Sequence, residues 1–130
     1  EIGLKSMWWD QRLRINAAIF TSDYSDKQEE VIVADAGGNV DTVVVNASEA
    51  SMDGAEIELN ALLYEGLTVF LQGGYLDAGY DEFSTDVPGL PSDASDLKMR
   101  NAPEYTYGTG LNYVHSIFSH SEMSYYVTYN

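Results

Sequence analysis

The chain contains no cysteine, so disulfide bonds and thiolate metal sites are excluded. No run of apolar residues approaches the roughly 20 that a membrane-spanning helix needs. Basic residues are scarce: 6 Lys and Arg stand against 21 Asp and Glu, which gives a net charge of −15. Because such a charge repels phosphate backbones, nucleic acid is not an expected partner. Cationic or metal-bearing ligands, divalent ions and basic protein surfaces stay open, as does an acidic surface that only aids solubility.

What the sequence does contain is an alternation of apolar and polar residues. Within residues 54–62, apolar Ile57 and Leu59 alternate with acidic Glu56 and Glu58. A strand turns successive side chains to opposite faces, so one face of this segment suits hydrocarbon and the other suits water. Repeats of this kind, about ten residues long, are typical of transmembrane β-barrels. The lack of a long apolar run therefore does not exclude a membrane.

The same alternation predicts about six strands. Between them, short turns near residues 10–11, 64–66 and 115–120 alternate with long loops near residues 34–41 and 84–102. Short turns on one side and long loops on the other are the asymmetry of outer-membrane barrels. The predicted fold is all-β: an antiparallel up-and-down meander of about six strands that forms part of a large transmembrane β-barrel.

The alternation is already present at both ends of the chain, in residues 1–4 and 125–130. Single-chain bacterial barrels start at about eight strands, so six need neighbours at both edges. The second and third predicted strands also exceed the ~9–11 residues that cross a bilayer. We therefore expect residues 1–130 to be a partial barrel domain, a fragment of a longer protein, whose long strands project on the side of the long loops.

Four parts of the chain resemble TonB-dependent outer-membrane receptors, in the order and spacing of that family. They read EIGLKSMWWDQRLRINAAIF (1–20), VNASEA followed by GAEIE (45–50 and 54–58), GYLDAGYDEF (74–83) and NAPEYTY (101–107). The resemblance implies a barrel of about 22 strands, plugged by an N-terminal domain. It also implies import of a scarce nutrient, most often a ferric siderophore, with energy from an inner-membrane coupling protein.

Further expectations about partners follow from the resemblance. It implies the outer membrane of a Gram-negative bacterium, contact with outer-membrane lipid and lipopolysaccharide, and a monomeric parent protein. The coupling protein would be reached through the plug region, which these residues do not include, so we expect no transport by this chain alone. No cofactor and no catalytic residue are expected.

Aromatic residues lie close to the predicted short turns: Trp8, Trp9, Tyr64 and Tyr113. Amphipathic rings favour the depth of the lipid headgroups, so these four are candidates for an aromatic girdle at the membrane interface. Ordinary packing within hairpins is the alternative.

Charged residues on the polar faces of the predicted strands are candidates for the barrel lumen. Arg14, Glu56 and Glu58 are the main ones, and Lys5, Arg12, Glu49 and Asp53 accompany them. They could contact the plug or line the path of the ligand. A solvated wall, or mutual pairing across strands, explains them equally simply.

The long-loop side supplies a candidate rim for ligand contact. It comprises Asp35, Asn39, Asp41, Tyr80, Asp81, Glu82 and Phe83. Loops held by a rigid scaffold commonly carry function, although these could also be generic loops. The acidic tract from residue 77 to 96 does not have the spacing of an EF-hand, so no metal site is predicted there. Divalent ions could still link it to lipopolysaccharide.

Three other protein classes compete with the receptor hypothesis. A porin-like barrel would share the strand pattern but lack a plug. A soluble, acidic, calcium-dependent β-domain for adhesion would need its apolar faces to pair with each other. An outer-membrane hydrolase would need a nucleophile, and His115 and His120 among neighbouring serines lack a third partner and an oxyanion site. We therefore do not expect an enzyme.

Overall fold

Six β-strands make up the fold in the structure, a computed structural model that describes residues 1–34, 37–87 and 91–130; of residues 47 and 48 it describes only the backbone. The strands are β1 (Ile2–Trp8), β2 (Leu13–Ala34), β3 (Val40–Tyr64), β4 (Leu67–Glu82), β5 (Tyr105–Phe118) and β6 (Ser121–Tyr129). The described residues include no helix that could cross a membrane.

The strands form one six-stranded sheet in sequence order, from β1 to β6. This confirms the predicted antiparallel meander. The sheet is open, with β1 and β6 at its edges. Three tight connections join β1 to β2, β3 to β4 and β5 to β6, whereas residues 35–39 and 83–104 make the longer ones.

The last turn is shorter than the sequence pattern suggested. The alternation predicted a connection near residues 115–120, but β5 continues to Phe118 and leaves only residues 119–120 between the strands. The extension exists because His115 pairs with Met123 and Ser116 with Glu122 across β5 and β6. An irregularity in register between Ser116 and Phe118 disturbs the alternation there.

The contacts within the chain divide it into two compact units. Unit 1 consists of Glu1–Phe20, Gly54–Leu76 and Pro103–Asn130. Unit 2 consists of Thr21–Asp53 and Asp77–Ala102. Unit 1 therefore contains all three tight connections, and unit 2 contains most of the two long ones.

The two units differ in the burial of their apolar side chains. Unit 2 has a small core of buried residues, namely Ala50, Tyr80, Phe83, Ala94 and Met99. Among the described residues of unit 1, Ala61 is the one buried apolar side chain, while most large apolar ones are exposed. Unit 1 therefore has alternation without a core, and its apolar surface needs a partner outside the chain.

Candidate functional site

One face of unit 1, which we call the apolar face, is covered with exposed hydrophobic side chains. The register pairs Ile2 with Ile19 and Leu4 with Ala17, and on the other edge it pairs Leu111 with Val127. These residues face no protein: Ile2 is 73%, Leu4 is 62% and Val127 is 65% exposed. A contiguous exposed apolar surface of this kind marks contact with a membrane or a partner.

The opposite face of unit 1, the polar face, carries the residues predicted to line a lumen. Lys5 pairs with Asn16, and Arg14 lies opposite Met7. Asn16 donates a hydrogen bond from Nδ2 to Oε2 of Glu58 at 3.2 Å, which joins β2 to β3. Glu56 lines the same shallow cavity as Glu58. The two acids and Arg14 therefore lie on one polar surface.

A larger cavity of about 530 Å³ opens on this polar face. Arg14 and Glu58 line it from one side, and Gln72 and Phe70 line it from β4. Buried glycines of β5 form its floor, because Gln72 pairs with Gly108 and Phe70 with Gly110. A Cβ added at Gly108 would meet the Gln72 amide at 2.7 Å, so this floor accepts no side chain without a shift.

The four predicted interface aromatics lie at the short-turn end of unit 1. All four are exposed, from 40% for Tyr113 to 72% for Trp9. Trp8 donates from Nε1 to Oγ of Ser6 at 3.1 Å, so its polar edge has a partner while its ring stays uncovered. An exposed ring with a satisfied polar edge suits a membrane interface.

Sequence reasoning missed a stacked ladder of rings beside them. His115 lies between Tyr113 and Tyr125, with ring centroids 5.5 Å and 5.9 Å apart. Tyr113 pairs with Tyr125 across β5 and β6, which brings the two phenol rings beside the imidazole. The spacing of residues 113, 115, 123 and 125 was the available signal, but it needed the register of the last hairpin.

Unit 2 gives two of the predicted rim residues a packing role. Phe83 is 3% and Tyr80 is 8% exposed, and their ring centroids lie 5.0 Å apart within the small core. Ala94 returns to Phe83, because Ala94 N donates to Phe83 O at 2.7 Å. Phe83 therefore has a packing role, and its contact with a ligand stays a prediction.

The remaining rim residues that the structure describes belong to β3, to β4 and to the connection before β3. Asp81 accepts a hydrogen bond from Oγ of Ser51 at 3.0 Å, and Glu82 is exposed. Asp41 accepts one from the backbone N–H of Thr42 at 2.8 Å, and Asn39 precedes β3. Asp35 lies outside the described residues.

Tyr80 also borders a cavity of about 270 Å³ that the sequence did not reveal. Lys27 holds its ammonium 5.6 Å from the Tyr80 ring centroid and forms an ion pair with Glu29. Arg100 reaches across the same cavity and donates from Nη1 to the Glu30 carbonyl oxygen at 3.2 Å. Burial raises the pKa of the Tyr80 phenol, against the opposing charge of Arg100, so this phenol is neutral.

The scarcity of cations makes this cavity distinctive. Only six residues of the chain are Lys or Arg, and Lys27, Lys98 and Arg100 are three of them. Their rarity in the sequence is a signal that could have marked these residues as candidates. It could not have shown that they lie near one another in the fold. Within the part of the chain that the structure describes, no three His, Asp or Glu side chains are grouped as metal ligands.

Comparison with known proteins agrees with this geometry. The model of the family described as TonB dependent receptor-like, beta-barrel, matches residues 1–130. No solved structure gives a significant match to the chain. The match spans the chain from end to end. It agrees with the open antiparallel sheet, which in unit 1 has one apolar and one polar face. The chain belongs to the β-barrel family of TonB-dependent receptors, which are outer-membrane transport proteins rather than enzymes.

Proposed function

We propose that the chain forms part of the barrel wall of a receptor that imports a ferric siderophore across the outer membrane, driven by the inner-membrane coupling protein. The observation that carries the transport part is the two-faced sheet of unit 1. Its apolar face exposes Leu4 and Val127, whereas its polar face joins Asn16 to Glu58. A barrel strand alternates in this way, with lipid on one side and an aqueous interior on the other.

The placement of unit 1 in the membrane follows from its connections and its aromatics. The exposed rings of Trp9 and Tyr64 lie at the tight connections, which are the periplasmic side in outer-membrane barrels. A second group of tyrosines occupies the apolar face farther along the strands. Tyr75 lies 5.4 Å from Tyr105 between ring centroids, and Tyr107 lies 6.2 Å from Tyr129.

The distance between the two aromatic groups supports this placement. Eight residues separate Tyr105 from Tyr113 along β5, which is about 27 Å of strand at ~3.4 Å per residue. Strands in these barrels are tilted by about 40°, so the span along the membrane normal is roughly 20 Å. That is close to the apolar band of about 25 Å that two girdles enclose.

The cavity of unit 2 supports an anionic chelate as the ligand. Ferric complexes with catecholate or carboxylate donors are anions. Lys98 and Arg100 line the cavity beside the neutral ring of Tyr80, together with Glu29 and Glu30. Lys27 lies over the same ring, with its charge already paired to Glu29. The net charge of −15 opposes such a ligand at long range. A local cluster of cations on an acidic surface guides an anion to one place, because surface charges farther than about 8–10 Å are screened by salt.

Uptake in cells tests this proposal. A Gram-negative strain without its own siderophore receptors would receive the full-length gene that encodes this chain, and radiolabelled iron uptake would be measured for several ferric siderophores. We expect uptake of at least one, abolished when the coupling protein is deleted. Uptake that ignores the coupling protein and follows only solute size would indicate a porin-like barrel. Coupled uptake of cobalamin or a glycan alone would contradict the siderophore assignment.

Two matched variants test the cation cluster. The double change Lys27→Gln and Arg100→Gln is expected to raise the ferric siderophore concentration for half-maximal uptake roughly fivefold, since two charge-assisted contacts are lost. The double change Lys27→Arg and Arg100→Lys keeps both positive charges and serves as the control. Equal effects of the two double changes would place the ligand contact elsewhere.

A further inference from the structure

A cavity of about 350 Å³ lies at the short-turn end of unit 1, and neither the transport path nor the rim uses it. It forms because one tight connection ends before its neighbour does. Val114 N donates to Gly66 O at 2.8 Å, so the connection between β3 and β4 stops at the level of Val114. β5 continues to Phe118, and this step leaves a recess beside the turn.

The chemistry of the lining is that of a site for a cation. The aromatic rings are those of Tyr64 and Tyr113, and the carboxylates are those of Glu65 and Glu122. The lining contains no Lys and no Arg. Aromatic faces attract an ammonium through their quadrupole, and carboxylates accept charge-assisted hydrogen bonds from it.

The lining also includes a histidine with an unpaired ring nitrogen. His115 lines it, and its Nδ1 is buried without a hydrogen-bond partner among the described residues. The ring cannot turn away easily, because Tyr113 and Tyr125 stack on its two sides. A buried polar atom of this kind is costly unless something completes its hydrogen bond.

We propose that this recess binds the headgroup of an aminophospholipid, with the ammonium between the rings and carboxylates and the phosphate beside His115. This inference rests on the proposed function, since it needs the short-turn end of unit 1 at the lipid headgroups. The lipid source is favoured over a free amine by the adjoining surface. The recess borders both faces at the end of the sheet, since Glu122 and Ser116 have the parity of the polar face. Tyr113 and Tyr125 belong to the apolar face, so acyl chains would run along that face from the recess.

The test uses the full-length protein in nanodiscs that contain equal amounts of phosphatidylethanolamine and phosphatidylglycerol. Lipids that remain bound after release into detergent would be counted by native mass spectrometry. We expect phosphatidylethanolamine to be retained roughly fivefold over phosphatidylglycerol. Glu65→Gln and Glu122→Gln should each reduce this preference several-fold. Asp10→Asn, at a neighbouring short turn outside the recess, should leave it unchanged.

Three outcomes would overturn the inference. They are equal retention of the two lipids by the native protein, a preference unaffected by both glutamate substitutions, and complete competition by soluble phosphoethanolamine, which would identify a free amine as the ligand. A separate measurement on the same nanodiscs keeps the proposed function distinguishable. Residues 1–130 contain no cysteine, so Leu4→Cys adds a single labelling site to them, and any cysteine elsewhere in the full-length protein would be replaced. Quenching of that label by lipid-borne quenchers, without lipid preference, would reject the headgroup site alone.

Discussion

At the scale of single residues, the tight connections depend on backbone conformations that few side chains adopt. Asp10 and Gln11 both have positive φ, at 54° and 69°, and Arg12 N donates to Trp9 O at 3.1 Å. Two central residues with positive φ make a type I′ turn, whose twist matches that of the flanking strands. Trp9 has positive φ as well, at 53°, so the first hairpin holds three successive non-glycine residues in a strained conformation between β1 and β2.

Gly66 provides the strongest test at this scale. Its φ is 82°, and an added Cβ would collide with the carbonyl oxygen of Val114. Gly66→Ala is therefore expected to destabilise the protein by about 2 kcal/mol or more, from left-handed strain plus the collision. Urea unfolding of the full-length protein in detergent measures this. Gly79→Ala is the control, because nothing lies within 4 Å of its added Cβ, and a similar loss there would refute the argument.

Asp93 gives a pH-dependent test in the long connection of unit 2. Its carboxylate accepts hydrogen bonds from Oγ of Ser95 at 2.7 Å and from the Ser95 N–H at 3.0 Å, and these lower the pKa of Asp93. A depressed folded-state pKa adds stability above the ordinary carboxyl range, and this stability is lost as pH falls through the lowered value. Ser95→Ala should raise the pKa of Asp93, measured by NMR titration. Ser92→Ala should leave it unchanged.

At the scale of elements, the strands of unit 1 assign each side chain to one face by parity. Val127 and Thr128 are neighbours on β6, both exposed, yet they pair with Leu111 on the apolar face and Gly110 on the polar face. Val127→Arg is expected to cost about 2–4 kcal/mol in a bilayer if it lies near the midplane. Thr128→Arg adds the same charge to the polar face and should cost far less.

Unfolding of the full-length protein from lipid vesicles would compare these two variants. Equal costs for Val127→Arg and Thr128→Arg would show that the faces do not differ in their surroundings. The membrane placement of unit 1 would then fail, whatever the result of uptake experiments.

Described residues of the connection between β4 and β5 pack into the core of unit 2. Phe83 packs with Met99 and Ala50 in the core of unit 2. Phe83→Ala should therefore loosen residues 91–104 by about 3 kcal/mol, the lower range for burying an aromatic ring. Hydrogen exchange of those amides measures the change. Phe118→Ala is the control, since Phe118 is 74% exposed, and it should not alter exchange in residues 91–104.

At the scale of the whole molecule, an open sheet with an apolar face leaves apolar surface and strand edges exposed to water. β1 and β6 each present an unpaired edge, and unit 1 lacks a core of its own. The 130-residue chain, produced alone, is expected to aggregate in buffer and to disperse in detergent, because edges and apolar surface seek partners. Sedimentation with and without detergent checks this. A soluble monomer with a sharp, reversible melt would favour the soluble β-domain for adhesion instead.

Most of the fold could be predicted from the alternation of apolar and polar side chains, because this alternation is a local signal. A period of two assigns strand and face from residues a few positions apart, so the meander and the two faces of unit 1 could be predicted. The assignment of Ile2 and Ile19 to an apolar face, and of Glu58 to a polar face, needed no knowledge of distant contacts. The family resemblance rested on the same short segments, and the match over residues 1–130 agrees with it.

Contacts between residues far apart in the chain were decided only by the tertiary structure. Phe83 was predicted to belong to the rim on the long-loop side, yet residues 94 and 99 return to bury it. Lys27 precedes Tyr80 by 53 residues and Arg100 follows it by 20, yet both lie near its ring, and no local pattern encodes this. His115 acquired its stacked rings from the register of β5 and β6. Burial and convergence depend on where the chain returns, whereas alternation depends only on the next residue.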